Sequence, residues 1–338
     1  MPITSVQSTA FDGLANDTAA RPPAPSLPPI EVMPRDISGL ARGNVGIDYV
    51  HRFESGAPGP HIAVVGLTHG NEFCGMTALT WLLDTGVRPV RGALTAIFAN
   101  VAAYERFDPA RPLDSRFIDR DFNRVWSDEI LSKDDRSYEA RRARELKPVI
   151  ESADALLDLH STAWPVASML IYCDLVKSHR LVRALREPLT HVVTPGGKHQ
   201  GGLLCEYGRL GREEDPALAV VVECGQHFAA VTGHVAIQAT LRFLGHFGTI
   251  DHRFAAQHLD APAKGEPVTY EITDVIHAKT EHARFARPLI GFEEFAKGEL
   301  IALDGEEEIR APFDRCAVLM PKPFLVKGRE MMTLSRRV

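Results

Sequence analysis

The chain of 338 residues has only five cysteines, Cys74, Cys173, Cys205, Cys224 and Cys316, scattered singly and odd in number. Such a set makes neither a disulfide framework nor a Cys-type zinc knuckle, and it predicts a protein kept in a reducing cytoplasm. No run of about 18 apolar residues occurs, so no segment is expected to span a membrane. A basic stretch followed by an apolar one is missing near the N-terminus, so no secretory leader is read there. The net charge of −6 supplies no basic excess, which argues against a sequence-independent nucleic-acid binder. No GxSxG elbow is present and Cys224 has no evident histidine base, which leaves a serine or cysteine hydrolase without support. The glycine-rich stretch 195–204 (PGGKHQGGLL) has no strand–GxGxxG–helix context, so a nucleotide cradle is a poor reading of it. It is read as a specificity loop at the mouth of a site, with Lys198 and His199 at its tip.

What remains is organised in three parts. Residues 1–42 are rich in proline and small residues, with Pro22, Pro23, Pro25, Pro28 and Pro29 close together, and read as an extended arm, either disordered or wrapped on a second subunit of a homodimer. Over 43–258, continuous apolar runs at 61–68, 93–99, 155–158, 169–173 and 217–222 alternate with helical patterns at 73–83, 136–152, 181–187 and 234–247. Buried strands alternating with helices predict an α/β/α three-layer core around a mostly parallel mixed sheet. Beyond 258 the helical patterns stop. Short runs at 268–272, 300–303 and 317–320 between Gly, Pro and Asp predict a small all-β domain over 259–338.

Three of the predicted strands lead into His69 and Glu72, His160, and Glu223. Ligands of an open parallel sheet bind beyond the carboxyl ends of its strands, so these residues are expected to share one crevice. A lone histidine at a strand end usually packs or caps. Two histidines and a carboxylate arriving together match a catalytic zinc set with one position open. Such a centre lowers the pKa of water and polarises a carbonyl. Gly70 relieves crowding between the first two ligands, and Glu223 is the candidate general base that passes a proton to a leaving amine. The segment 116–126 (RFIDRDFNRVW) interleaves arginines with apolar residues, which predicts a packed stretch whose guanidinium groups are held to bind carboxylate or an oxyanion. Asp121 within it is placed to orient a ligand histidine.

GLTHGNE (66–72), RFIDRDFNR (116–124), DLH (158–160) and VVVECG (220–225) together resemble the succinylglutamate desuccinylase/aspartoacylase family, of the wider zinc carboxypeptidase-like superfamily. The resemblance runs from about residue 61 to the C-terminus. It implies a carboxypeptidase-like core and hydrolysis of the amide bond of a small N-acyl amino acid. One Zn2+ per chain would be held by His69, Glu72 and His160, with Glu223 as the base. It assigns polarisation of the scissile carbonyl to Arg116, substrate-carboxylate binding to Asn123 and Arg124, and further substrate contacts, across loops of different length, to Tyr207 and Arg212. Lys297-Gly298-Glu299 followed by residues 309–314 (IRAPFD) is similar to the family's lipoyl-like β-domain, with Arg315 where a glycine is usual; lacking a lysine at a hairpin tip, this domain is read as a lid.

Where relatives have EVGPQ the chain has Glu223-Cys224-Gly225-Gln226-His227. His227 is read as a cap for the following helix, with reach to the substrate as the alternative. Two further activities stay open at this level: a zinc carboxypeptidase on short or modified peptides, and a non-catalytic zinc-binding module.

Overall fold

The computed structural model describes residues 28–132, 134–196 and 202–338. Lys198, His199 and the greater part of the N-terminal arm lie outside the described residues. The chain runs β1 (Val50–Glu54), β2 (His61–Gly66), α1 (Phe73–Asp84), β3 (Ala93–Phe98), α2 (Val101–Tyr104), α3 (Asp128–Ser132), α4 (Tyr138–Ser152), β4 (Ala155–Thr162), β5 (Met169–Cys173), α5 (Val176–Leu185), β6 (Thr190–Thr194), β7 (Leu218–Gln226), α6 (Ala230–His246) and α7 (His252–His258). Strands alone follow: β8 (Val268–His277), β9 (Ala283–Phe285), β10 (Glu293–Phe295), β11 (Leu300–Asp304), β12 (Glu307–Arg310), β13 (Cys316–Leu319) and β14 (Glu330–Arg337).

The period-2 alternation of strand side chains decides the layering. Ile62, Val64, Leu157, Val220 and Val222 join α1, α5 and α6 in one apolar cluster. Their neighbours Ala63, Val65, Leu156, Ala219 and Val221 join Ala143, Leu146 and Ile150 of α4 in another. These strands are covered on both faces, which is why they read as unbroken apolar runs. Strands β3, β2, β4 and β7 are mutually parallel, β5 returns antiparallel to β7, and β6 is parallel to β5. This is the expected three-layer α/β/α arrangement with a mixed, mostly parallel sheet, followed by the expected all-β C-terminal strands.

Three details differ from expectation. Both β4 and β7 continue past the residues thought to follow them, because pairing of His160 with Glu223 and of Thr162 with Gln226 extends the ladder across an irregularity. Helix α5 starts at Val176, where the polar run Lys177–Arg180 hides its first turn from any apolar periodicity. The C-terminal strands are also not a detached sheet. Strand β8 pairs with β6 in parallel, and the 11-stranded order β1-β3-β2-β4-β7-β5-β6-β8-β14-β13-β10 is continuous, with β12-β11-β9 as a separate three-stranded sheet. The region after α7 still has an apolar cluster of its own around Phe295, Ile301, Val318 and Met332. Arg315, at the position where a glycine was anticipated, takes φ +57°, so the turn keeps a glycine-like conformation with an arginine in it.

One buried carboxylate positions the arginine-rich segment. Ser137 caps α4, its hydroxyl accepting from the Ala140 N–H at 3.3 Å. In the first turn Glu139 is 0% exposed. Its oxygens accept from the backbone N–H groups of Ile118 (2.6 Å), Asp119 (3.1 Å) and Arg120 (3.0 Å), and from Asn100 Nδ2 (3.1 Å). Three successive amides wrapped on one anion fix the path of residues 116–124. Removing the acceptor leaves buried donors unsatisfied, at about 1–3 kcal/mol each for groups that find no water. Glu139→Ala is therefore expected to lower unfolding stability by at least about 2 kcal/mol in urea titrations and to raise the protease sensitivity of the 116–124 segment.

Candidate active site

The end of β2 delivers the first two functional side chains through a strained turn. Leu67 sits at φ +59°, uncommon for a branched residue. Gly70 packs backbone on backbone: a Cβ there would lie 2.4 Å from the Ala103 carbonyl carbon, the Ser115 oxygen and the Tyr104 nitrogen. The crowding that Gly70 relieves comes from α2 and the 114–116 turn. Glu72 stands at the N-cap of α1 without capping it by its side chain. Its carboxylate turns instead to His69 Nδ1 (2.9 Å), His160 Nδ1 (3.0 Å), Arg116 Nη1 (3.0 Å) and the Ser161 N–H (3.2 Å). His160 arrives from β4, next to Glu223 of β7 in the sheet register.

The outer nitrogens of both histidines meet carboxylates: His69 Nε2 lies 2.9 Å from Asp121 Oδ1, and His160 Nε2 lies 2.8 Å from Asp158 Oδ2. Asp121 is held by Arg116 Nε and Nη2, each at 3.2 Å, and Asp158 by the Thr68 hydroxyl at 2.7 Å. With the outer nitrogens donating to Asp121 and Asp158, each Nδ1 presents a lone pair to the Glu72 carboxylate. Acceptors then face acceptors at one point, and only a proton on each ring or a cation among them relieves the repulsion. One ligand atom from each of His69, Glu72 and His160 lies within 4.8 Å of the other two, and all three residues are buried. The donor set fits a divalent metal of the zinc type.

The titration behaviour of these groups follows from the same crowding. Burial alone would push Glu72 up, but His69 and His160 hold it well below the usual carboxylate range. Asp121 is likewise driven well down, against its burial, by Arg116 and His69. His160 is raised well above the ordinary imidazole value because Asp158 and Glu72 outweigh its burial. Glu223 goes the other way. Burial, with the Glu72 charge beside it, pushes its carboxyl up to about 8, against the pull of His160, Arg116 and Lys322. Its Oε2 is buried and has no hydrogen-bond partner among the described residues.

These residues line one cavity of about 1200 Å3, which also takes in Asn123, Arg124 and His227 and is walled on its far side by Met320, Lys322, Phe324, Val326 and Glu330. Asn123 uses its Oδ1 to accept from the Leu204 N–H at 2.8 Å, while Nδ2 has no partner among the described residues. Arg124 Nη2 reaches Glu330 Oε2 at 3.2 Å, so the 116–124 segment and the last strand meet across the cavity. The structure does not bring Tyr207 and Arg212 there. Tyr207 is buried against Trp126, its hydroxyl 3.4 Å from Asp128 and from Glu151, and Arg212 is exposed in the turn before β7. Neither residue lines the cavity. His227 does not cap α6, whose N-cap is Ala229; its ring turns to Ser161 and the cavity wall, and burial depresses its pKa to about 3. Sequence reasoning passed over Asp158 and Glu139. Asp158 had a signal, since residues two apart on a strand share a face with His160; the role of Glu139 had none.

Residues 58–195 match the succinylglutamate desuccinylase/aspartoacylase catalytic domain. An N-acyl-aromatic-L-amino acid amidohydrolase (carboxylate-forming) from Xenopus tropicalis is 41% identical over 111 residues, 30% of this chain and 33% of that protein. The aspartoacylase of Rattus norvegicus is 32% identical over 144 residues, 38% of this chain and 44% of that protein. The chain thus spans a third to under a half of the length of these curated relatives. The crystal structure of succinylglutamate desuccinylase from Vibrio cholerae superposes with a TM-score of 0.67 at 18% identity, covering 86% of each chain, a likeness of fold. Residues 58–195 are thus similar to the succinylglutamate desuccinylase/aspartoacylase catalytic domain, and the described fold as a whole is similar to that of a succinylglutamate desuccinylase.

Proposed function

We propose that the protein is a zinc-dependent amidohydrolase that removes the acyl group from a small N-acyl amino acid. The observation that carries this reading is one cavity in which a buried His-Glu-His set, a carboxylate with a free oxygen and an Asn-Arg pair face the same space. His69, Glu72 and His160 would hold the metal, with Asp121 and Asp158 orienting the two imidazoles. Zinc bound by these three residues would supply Lewis acidity towards the scissile carbonyl. Glu223 takes a proton from the attacking water through its free oxygen and delivers it to the leaving amine, so that amide and water become carboxylate and amine. Asn123 Nδ2 and Arg124 suit the substrate carboxylate. Arg116 is committed to Glu72 and Asp121, so its first task is to hold the ligand set, with polarisation of the carbonyl as its second. The five cysteines are buried free thiols, which suits the reducing cytoplasm, and no described helix is long and apolar enough to cross a membrane.

The far wall points to the size of the substrate. Among the described residues only a few large apolar side chains are exposed, and Ile290 (43%), Phe324 (62%) and Val326 (52%) all lie on the rim of this cavity. Trp164, Val166, Ile171 and Met320 continue that surface inward. An N-acyl amino acid with a bulky apolar group covers this rim, whereas a small dicarboxylate leaves it in water. The name of the amphibian relative, an amidohydrolase of N-acyl-aromatic amino acids, lends support.

Glu223→Gln is expected to retain zinc while kcat falls by about 10²–10⁴, the range for loss of a general base; a variant with near-normal kcat would assign the base elsewhere. Chelation should abolish amine release and added zinc restore it. Asp158→Asn should weaken zinc binding about 10–100-fold in competition with a chromogenic chelator. Phe324→Ser should raise KM for N-acetyl-L-phenylalanine about fivefold, roughly 1 kcal/mol for ~40 Å2 of apolar cover, and leave KM for N-acetyl-L-aspartate unchanged.

A further inference from the structure

His227 is a buried polar side chain of the cavity wall for which neither the ligand set nor the base provides a use. It is 5% exposed, and its ring is fixed from several sides. Nδ1 lies 2.8 Å from the Ser161 hydroxyl, its backbone N–H donates to Thr162 O at 2.8 Å, and Phe228 meets the ring edge-on at 5.6 Å. The other ring nitrogen, Nε2, has no partner among the described residues, although the ring lines the cavity beside His160 and Glu223.

Which nitrogen carries the proton follows from Ser161. That hydroxyl is also buried, with the residue 4% exposed, and its only hydrogen-bond partner among the described residues is His227 Nδ1. A buried hydroxyl proton without another acceptor points at the one it has, because leaving it unmade forfeits a hydrogen bond in a region shielded from water. Ser161 therefore donates to Nδ1, Nδ1 is the acceptor nitrogen, and the ring proton of the neutral imidazole sits on Nε2. The result is an N–H donor held rigidly and aimed into the space where the substrate must lie.

We propose that His227, locked by Ser161 as the Nε2–H tautomer, is a substrate-contacting residue that donates a hydrogen bond to an oxygen of the bound N-acyl amino acid. The identity of the ligand rests on the deacylase reading above; the tautomer and its direction do not. A neutral, preorganised donor in a buried site acts on a carbonyl or carboxylate oxygen without introducing a charge that would repel the metal. Ser161 acts through it as a positioning residue. Its own backbone N–H is spent on Glu72, so the same residue fixes a metal ligand by its amide and a substrate donor by its hydroxyl.

The test begins with the ring itself. In protein labelled with 15N at histidine, the His227 signals, assigned by their loss in His227→Gln, should show protonated Nε2 and bare Nδ1 in both zinc-loaded and metal-free protein. Ser161→Ala should abolish that preference. A protonated Nδ1 in the wild type overturns the proposal. In turnover of N-acetyl-L-phenylalanine, His227→Phe should lose on the order of 10² in kcat/KM, and His227→Gln, which keeps an amide donor, should recover most of it. A folded His227→Phe within threefold of wild type, or a Gln variant as poor as the Phe variant, also overturns it. If the zinc-loaded wild type hydrolyses no N-acyl amino acid, the deacylase reading falls, and the tautomer measurement still decides this inference.

Discussion

Lone pairs pointed at lone pairs cannot stand alone in a buried place, and this conflict at Glu72 organises the rest of the site. Two imidazole Nδ1 atoms and a carboxylate converge at about 3 Å. Carboxylates on the outer side of each ring keep the Nδ1 atoms as acceptors, and further groups keep those carboxylates in place: Arg116 for Asp121, Thr68 for Asp158. Such an arrangement is costly unless the rings are protonated or a cation sits among the three groups, and the surrounding polar shell favours either outcome. The strained Leu67 and the sterically closed Gly70 lie in the same turn, where the backbone is bent to bring His69 and Glu72 to one point.

The fold supplies this geometry through neighbours in the sheet. β4 and β7 are adjacent and parallel, and their register sets His160 beside Glu223 before any side chain is chosen. Asp158 and His160 share a face because they are two apart on one strand, and that face is the one covered by α4. The same helix offers Glu139, whose carboxylate gathers the amides of 118–120 and so directs Arg116 and Asp121 to the ligand set, with Asn123 and Arg124 lining the cavity. One helix thus both covers the apolar sheet and positions the polar segment that crosses its end.

The parts of this arrangement legible in the sequence are those that depend on local pattern. Apolar runs of strand length and the residues at their ends placed His69, Glu72, His160 and Glu223 in one crevice without knowledge of the strand order. Glu139 was invisible because a glutamate in the first turn of a helix is ordinary by composition, and its burial depends on a segment some 20 residues earlier. Tyr207 and Arg212 were misplaced because loop geometry between 195 and 217 has no periodicity to read. The continuity of the sheet into β8 was missed for a related reason: parallel pairing of β6 with β8 is a long-range contact, while the change from helices to short strands near residue 260 is a local one. His227 stood between two readings until its ring direction was known. Arg315 shows the converse, a position whose conformation the glycine pattern anticipated although the residue itself had changed.

The charges across the cavity bear on what can enter it. Arg116 is already neutralised by Glu72 and Asp121, and Arg124 shares Glu330 with Lys322, which lies 3.4 Å from that carboxylate. On the deacylase reading proposed above, a substrate carboxylate at Arg124 would meet a guanidinium with only part of its fork engaged, beside the Asn123 amide nitrogen, and would add to the network without displacing Glu330. A second carboxylate has a poorer reception. Ile171, Val221, Leu203 and Cys205 line another part of the same cavity, and apolar surroundings disfavour an unpaired anion by several kcal/mol. On the same deacylase reading, such a cavity would discriminate by where its cations are already spent: one carboxylate would be welcome at the Asn123–Arg124 pair, and the remainder of the substrate would have to be apolar enough to replace water along the sheet and the rim.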